Sequence, residues 1–464
     1  MMDRRFKALS GPFDARGSAV LLACLGVPVT LGLVVPSASS TPSFAAPRSF
    51  ASGKDPSRVA IGDLNGDRKP DLAVANGLAD TVSVLANRGD GSFQDRRVYQ
   101  TGHLPYTVAI GDLNGDGKPD VAVANGGADT VSVLANKGDG SFGAKVDYQA
   151  GGGPDSVVIG DLNGDGKPDL ASANEVAGTV SVLTNGGDGS FQTKRDYPTG
   201  SSPRSVAIGD LTGDGNLDLA VANYGIVTNE PGSVSVFANR GDGSFQAKLD
   251  YQAGRGSSSV AIGDLNGDGK PDLAAANALD DTVSVFANRG DGSLQARRDY
   301  RTGVNPDNGN SSPVSVAIGD LNGDGKPDLA TANYRANTVS VFVNGGDLNF
   351  RRRDYASGNG PISLAIGNLN GDRKPDMVIA NANRNTVSVL ANTTGLCAVP
   401  NVKGRTLPAA KRAIVRAGCR VGKIGRAYSK IVEVGRVISE RPRSGTLLRR
   451  GGKVNLVVSR GRKH

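Results

Sequence analysis

Seven short stretches of this 464-residue chain set oxygen-bearing side chains at positions 1, 3, 5 and 9 of a glycine-rich loop. The fullest copies read Asp-Leu-Asn-Gly-Asp-Gly-Lys-Pro-Asp. Hard cations such as calcium take oxygen ligands, several of them carboxylates, from a tightly turning backbone. The candidate metal ligands are therefore Asp63, Asn65, Asp67 and Asp71 in the first copy, and Asp112, Asn114, Asp116 and Asp120 in the second. The third offers Asp161, Asn163, Asp165 and Asp169; the fourth offers Asp210, Thr212, Asp214 and Asp218. The fifth and sixth offer Asp264, Asn266, Asp268 and Asp272, then Asp320, Asn322, Asp324 and Asp328. The seventh has Asn368, Asn370, Asp372 and Asp376. In the second copy the Lys118 carbonyl is the natural ligand at position 7.

An EF-hand needs a bidentate Glu at position 12 and flanking helices. Position 12 of the second copy is Val123, inside an alternating apolar run, so the pattern is a calcium loop within a β-hairpin. An acidic turn exposed to water is the plainer reading. Crowded carboxylates repel one another, however, and a cation relieves that. The expectation is up to seven calcium ions in a structural role. The copies differ: Arg68 replaces Gly in the first, and Asn216-Leu217 replaces Lys-Pro in the fourth. The seventh loses a carboxylate at Asn368 and a glycine at Arg373, so it is expected to be the weakest.

Other chemistry is thinly represented. The chain has 2 histidines, His103 and His464, and no serine in a nucleophile-elbow pattern. No catalytic residue is assigned. A polysaccharide hydrolase or lyase remains an alternative, and it requires an axial pocket with two carboxylates outside the loops. A lectin is a third reading, which the absence of Trp weakens. Arg88-Gly89-Asp90, Arg240-Gly241-Asp242 and Arg289-Gly290-Asp291 resemble adhesive tripeptides. Lys137-Gly138-Asp139 and Gly186-Gly187-Asp188 occupy the same place, so the position reads as a turn that needs Gly-Asp-Gly.

The elements that must carry the loops follow from their spacing. Successive loops start 49, 49, 49, 54, 56 and 48 residues apart. A period in the forties with several short strands fits propeller blades. In one unit, strands are expected at Thr107–Gly111, Val121–Ala124 and Thr130–Leu134, with a fourth from Ser141 to Tyr148. The last unit stops at Asn392 without its fourth strand, while Pro42–Gly53 matches the outer strand and linker Gly91–Gly102. The N-terminus is thus expected to close a ring of seven blades, which removes exposed edges. Two insertions, Tyr224–Gly232 and Val304–Pro313, fall on the face opposite the acidic loops, as do Tyr106 and Tyr334. Loops on rigid scaffolds carry function, so a protein or glycan ligand is expected on that face.

The repeated Asp-Leu-Asn-Gly-Asp-Gly-Lys-Pro-Asp-Leu followed by an alternating strand resembles the FG-GAP-like (VCBS) repeat, related to the integrin α-chain propeller. The resemblance covers residues 42–395 and implies calcium loops between the first and second strands of each blade. It also implies that partners bind the opposite face.

Residues 1–39 read as a signal peptide. Arg4, Arg5, Lys7 and Arg16 precede the apolar run Ser18–Val35, and small polar residues follow. An uncleaved anchor is the alternative. Residues 396–464 carry 18 Lys/Arg against 2 Asp/Glu, whereas residues 42–395 carry 31 against 41. A strongly basic tail thus joins an acidic body. The tail is expected to hold a helix from Leu407 to Ala417 and strands at Val432–Ser439 and Val454–Ser459. Val399-Pro-Asn-Val-Lys-Gly404, the Ala-rich helix, Gly435-Arg-Val-Ile-Ser439 and Val454–Ser459 resemble a PASTA domain. That resemblance implies an extracytoplasmic module and association with peptidoglycan. Cys397 and Cys419 flank the helix and form the natural disulfide of a secreted chain. In that compartment the charge suits an anionic wall polymer and no nucleic acid is expected. The expected architecture is mostly β: a seven-bladed propeller at 42–395 and a small α+β domain at 396–464. The expected localisation is secreted, extracellular or wall-associated.

Overall fold

A computed structural model describes residues 41–225, 231–303 and 309–462. The proposed signal peptide lies outside the described residues, as do 226–230 and 304–308 of the two insertions. Among the described residues no helix is long and apolar enough to cross a membrane.

Seven antiparallel four-stranded sheets follow one another along the chain. In the second, the strands are Pro105–Gly111, Asp120–Asn125, Thr130–Leu134 and Val146–Gln149. The first three reproduce the expected strands and extend two of them. The fourth is shorter than expected, because Ser141–Lys145 is held only by a single bridge from Phe142 to Asn136. The first strand of every blade contacts the first strand of the next, and the seventh contacts the first, so these strands ring a central axis. The second strands are buried along their whole length, as in Asp120-Val-Ala-Val-Ala-Asn125. Both faces of such a strand are covered by neighbouring blades, which is why it reads as a continuous apolar run. One apolar cluster fills each seam; Leu64, Val84, Val108 and Phe142 meet between the first two blades.

The ring closes as expected. Arg48–Ala51 pairs antiparallel with Thr386–Leu390 and supplies the outer strand of the seventh blade. Phe44 bridges Asn392 as Phe93 bridges Asn87 in the first blade. The insertions sit where their flanking strands require: one between Asp218–Asn223 and Ser233–Phe237, the other between Arg298–Arg301 and Pro313–Gly319.

In the tail, a helix spans Leu407–Arg416 with Pro in its first turn, and Ala410 and Ile414 are fully buried. It packs on Val437, Val454 and Leu456. The strand expected from Val432 begins only at Val437, because Glu433–Arg436 turns, with Gly435 at φ 79°. A strand at Arg420–Ala427, parallel to Lys453–Ser459, was not expected. Cys397 and Cys419 form a disulfide with Cα atoms 5.4 Å apart.

Candidate functional site

Each acidic loop joins the first and second strands of its blade, so all seven lie on one face of the ring. In the second copy the Asp112 carboxylate accepts hydrogen bonds from the backbone N–H groups of Gly115 and Gly117, both at 2.8 Å. Asn114 Oδ1 accepts from Asp116 N–H at 2.9 Å, and Asp116 Oδ1 from Lys118 N–H at 3.0 Å. Asp63, Asp161, Asp210, Asp264 and Asp320 repeat the first of these arrangements. Asn65, Asn163, Asn266, Asn322 and Asn370 repeat the second. Asp67, Asp165, Asp214, Asp268, Asp324 and Asp372 repeat the third. The backbone must turn with positive φ at Gly115 and Gly117, at 75° and 79°. Thr212 engages Asp218 through its N–H at 2.9 Å instead. Asn368 Oδ1 is buried without a hydrogen-bond partner, so the seventh copy loses the first arrangement.

The position-9 aspartates have a second task. Asp120 is 1% exposed; one carboxylate oxygen accepts from Leu113 N–H at 3.0 Å and the other from Asn136 N–H at 2.7 Å. Asn136 in turn donates to Pro119 O and to Leu64 O of the preceding blade. The same lock recurs in every blade through Asp71, Asp169, Asp218, Asp272, Asp328 and Asp376. Burial pushes Asp71 and Asp376 up to about 6 and Asp328 to about 7. Backbone N–H donors oppose that rise, and the other loop aspartates add to it.

Among the described residues no three acidic, His or Cys side chains already converge closely enough to hold an ion. The donor set nevertheless fits calcium. It consists of hard oxygens whose like charges push one another's carboxyls upward, and in the second copy each bonded oxygen accepts one hydrogen bond and keeps a second lone pair. The three Arg-Gly-Asp tripeptides sit in the third-to-fourth-strand turns. Arg88 Nη1 donates to Phe93 O at 2.6 Å and Ser92 N–H donates to Asp90 at 2.9 Å, which is turn architecture.

The opposite face holds a feature that sequence reading missed. In all seven blades the inner strand shifts register at its second residue, as between Pro154 and Ser156. Such bulges re-aim a side chain. The re-aimed residues meet in an axial cavity of about 180 Å³ to which every blade contributes. Tyr106, Asp155 and Arg204 form a polar arc, Val314 and Ile362 an apolar one, and Ser57 and Ser258 stand between them. Arg58 enters from the first blade, and its Nη1 lies 3.4 Å from Ser315 Oγ in the sixth. Arg204 pairs with Glu175 at 2.6 Å and lies over the Tyr224 ring, 3.8 Å from its centroid. Burial pushes the Asp155 carboxyl up to about 6; Arg58 pulls it down, Glu175 raises it and Arg204 lowers it. Burial also lowers the Arg58 guanidinium, with Asp155 opposing.

The signal for this site was in the repeats. The inner strands begin Pro-x-Ser-Val or a close variant, and x is Ser57, Tyr106, Asp155, Arg204, Ser258, Val314 and Ile362 in turn. The next residue is Ser or Thr in six blades and Arg58 in the first.

The fold and its loops define an FG-GAP-type propeller. The chain belongs to the FG-GAP-like repeat family, whose profile matches residues 63–123, 112–172, 161–221, 225–275, 264–331 and 320–379. The PASTA domain profile matches residues 398–460. Over 63 residues the chain is 38% identical to a probable serine/threonine-protein kinase of Clostridium acetobutylicum; this covers 14% of the chain and 10% of the kinase. The chain thus spans about a tenth of that relative's length. Among solved structures, Kuenenia stuttgartiensis hydrazine synthase aligns with TM-score 0.55 at 15% identity, over 73% of this chain and 96% of that one. Virginiamycin B lyase from Staphylococcus aureus, solved with quinupristin, aligns with TM-score 0.53 at 13% identity, over 75% and 99%. At these identities the likeness shows the propeller fold alone.

Proposed function

We propose that this is a secreted cell-surface protein that works by recognition rather than catalysis. A calcium-stiffened propeller presents its opposite face to a protein or glycan, and the PASTA domain associates with peptidoglycan or an anionic wall polymer. The observation that carries this reading is the joining of an FG-GAP propeller to a PASTA domain with 18 Lys/Arg and 2 Asp/Glu. The kinase relative supports it through the shared region, and the basic, then apolar, N-terminus supports export. When bound, calcium supplies positive charge that relieves the crowded loop carboxylates. Asp112, Asn114, Asp116, Asp120 and their counterparts would hold it. The test is co-sedimentation of the full chain with purified wall, with and without its anionic polymers. Retention is expected at low ionic strength and release near 0.5 M salt, roughly where screening shortens to a few ångströms. Failure to sediment at low salt, or retention indifferent to salt, would overturn the charge-based attachment.

The hydrolase reading has one observation in its favour. Asp155, at the axis, and Glu175 are carboxylates outside the metal loops, and each raises the proton affinity of a neighbouring group. Glu175, however, does not line the axial cavity, and its Oε1 already accepts from Ser202 Oγ and from Nε and Nη2 of Arg204. Release of reducing ends from wall glycan, abolished in Asp155→Asn, would favour this second reading.

A further inference from the structure

The axial cavity combines opposite charges that do not neutralise each other by contact. Arg58 and Asp155 feel each other's charge, yet no ion pair within 4.0 Å joins them among the described residues. Glu175 is already held by Arg204. The far wall is aliphatic, from Val314 and Ile362. We propose that this cavity binds a small zwitterion. Its carboxylate is taken by the Arg58 guanidinium, its ammonium by the Asp155 carboxylate, and a short aliphatic group rests on Val314 and Ile362.

Three independent features point to a ligand rather than to the scaffold. Arg58 stands where six other blades have Ser or Thr. In five of them that Ser bonds a backbone N–H of the next blade, for example Ser156 Oγ with Val206 N–H at 3.3 Å. Arg58 forgoes that bond to place a large cation in the ring. A half-buried charge whose polar contact is a neutral Ser hydroxyl rather than a carboxylate opposes folding, so a site that keeps one is a functional candidate. Second, the one strongly varied position of the inner strand is the bulged one, and it faces the cavity. Third, about 180 Å³ is some six water volumes. That suits one amino acid, and it is below the range of pockets that take larger ligands.

The full chain is titrated by calorimetry with L-valine and D-valine, then with isovalerate, which lacks the ammonium, and isobutylamine, which lacks the carboxylate. Saturable binding of either valine is expected, with both half-ligands weaker by at least about 30-fold, the loss typical of leaving one buried charge unpaired. Arg58→Ser installs the residue most other blades carry and so should fold. It is expected to abolish valine binding, and Asp155→Asn to weaken it by about 30-fold. No binding of either valine, equal affinity for isovalerate, or wild-type affinity in a folded Arg58→Ser would overturn the proposal. Its failure leaves wall attachment untouched, since sedimentation does not read the axial cavity.

Discussion

Truncating Asn87 tests whether the repeated Asp–Asn lock, rather than apolar packing alone, holds the blades together. Asn87 is 1% exposed; its amide donates to Pro70 O and to Leu369 O, both at 2.8 Å, and accepts from Gly89 N–H at 2.8 Å. Leu369 belongs to the seventh blade, so this bond crosses the seam between the seventh and first blades. A buried hydrogen bond contributes about 0.5–1.5 kcal/mol net, and three partners are orphaned in Asn87→Ala. The expected loss is about 2–4 kcal/mol, a large share of the stability of an ordinary domain. Asn185→Ala removes the same three bonds at a seam within the ring and should lose a similar amount. Asn383 is exposed, and Asn383→Ala should stay within about 0.5 kcal/mol of the parent. Urea unfolding followed by far-UV circular dichroism reads all three, with a midpoint lowered by about 1 M in the first two. If the two buried truncations shift the midpoint no more than Asn383→Ala, the lock is not what joins the blades.

Calcium at about a hundred times its dissociation constant should add about 2.7 kcal/mol per site by mass action. Thermal unfolding with calcium should therefore occur higher than with chelator, and identical midpoints would refute the metal assignment. Asp112→Asn should shrink the gap more than Asn368→Ala, because the seventh loop already lacks the position-1 carboxylate. Replacing Cys397 and Cys419 by Ser opens a loop with a sequence separation of 22, worth roughly 3 kcal/mol on the chain-entropy model. The tail domain should then unfold at lower urea while the propeller transition stays put. Asp155 titrates higher folded, near 6, than unfolded, so its share of stability is present below about pH 4 and fades as pH rises through 6. Arg58, Arg204, Glu175 and Tyr106 surround it, and Asp155→Asn should be more stable than the parent at pH 8 but not at pH 4.

Much of the propeller was legible because its physics repeats. Seven copies of one turn fixed the period, and a missing outer strand at one end matched a spare one at the other. The helix at Leu407–Arg416 was legible from Leu407, Ala410 and Ile414 on one face. The strand Arg420–Ala427 was not: its residues are Arg, Gly and Lys around Val421 and Ile424, with no alternation to betray a half-buried strand. It forms because Lys453–Ser459, the central strand of its sheet with Val454, Leu456 and Val458 buried, needs a partner on each side. The loop residues were legible as ligands, but not the burial of Asp120 and its kin. Their bonds run to Asn136 and through it to the preceding blade, beyond any nine-residue motif. The axial site was hidden for a related reason, since its residues stand one per blade about fifty positions apart.

Repetition also supplies the contrast that sets scaffold apart from function. Where every blade needs the same contact, the residue is the same, as with the buried Asn at the end of each second strand that bonds the third-strand Ser. An exception must then either be tolerated or be used. Asn368 behaves as a tolerated one: it drops a pair of hydrogen bonds and leaves a buried oxygen without a partner, which weakens a loop that has six fuller copies. Arg58 differs in kind. It gives up an inter-blade bond that a Ser would make and adds a desolvated charge, two changes that both oppose folding. Serving the scaffold would not select it, because Ser and Thr serve the scaffold in six blades. Its value has to lie in what the guanidinium meets at the axis. If so, Arg58→Ser should gain stability in the same variant that loses the ligand, and that pairing separates a binding residue from a structural one.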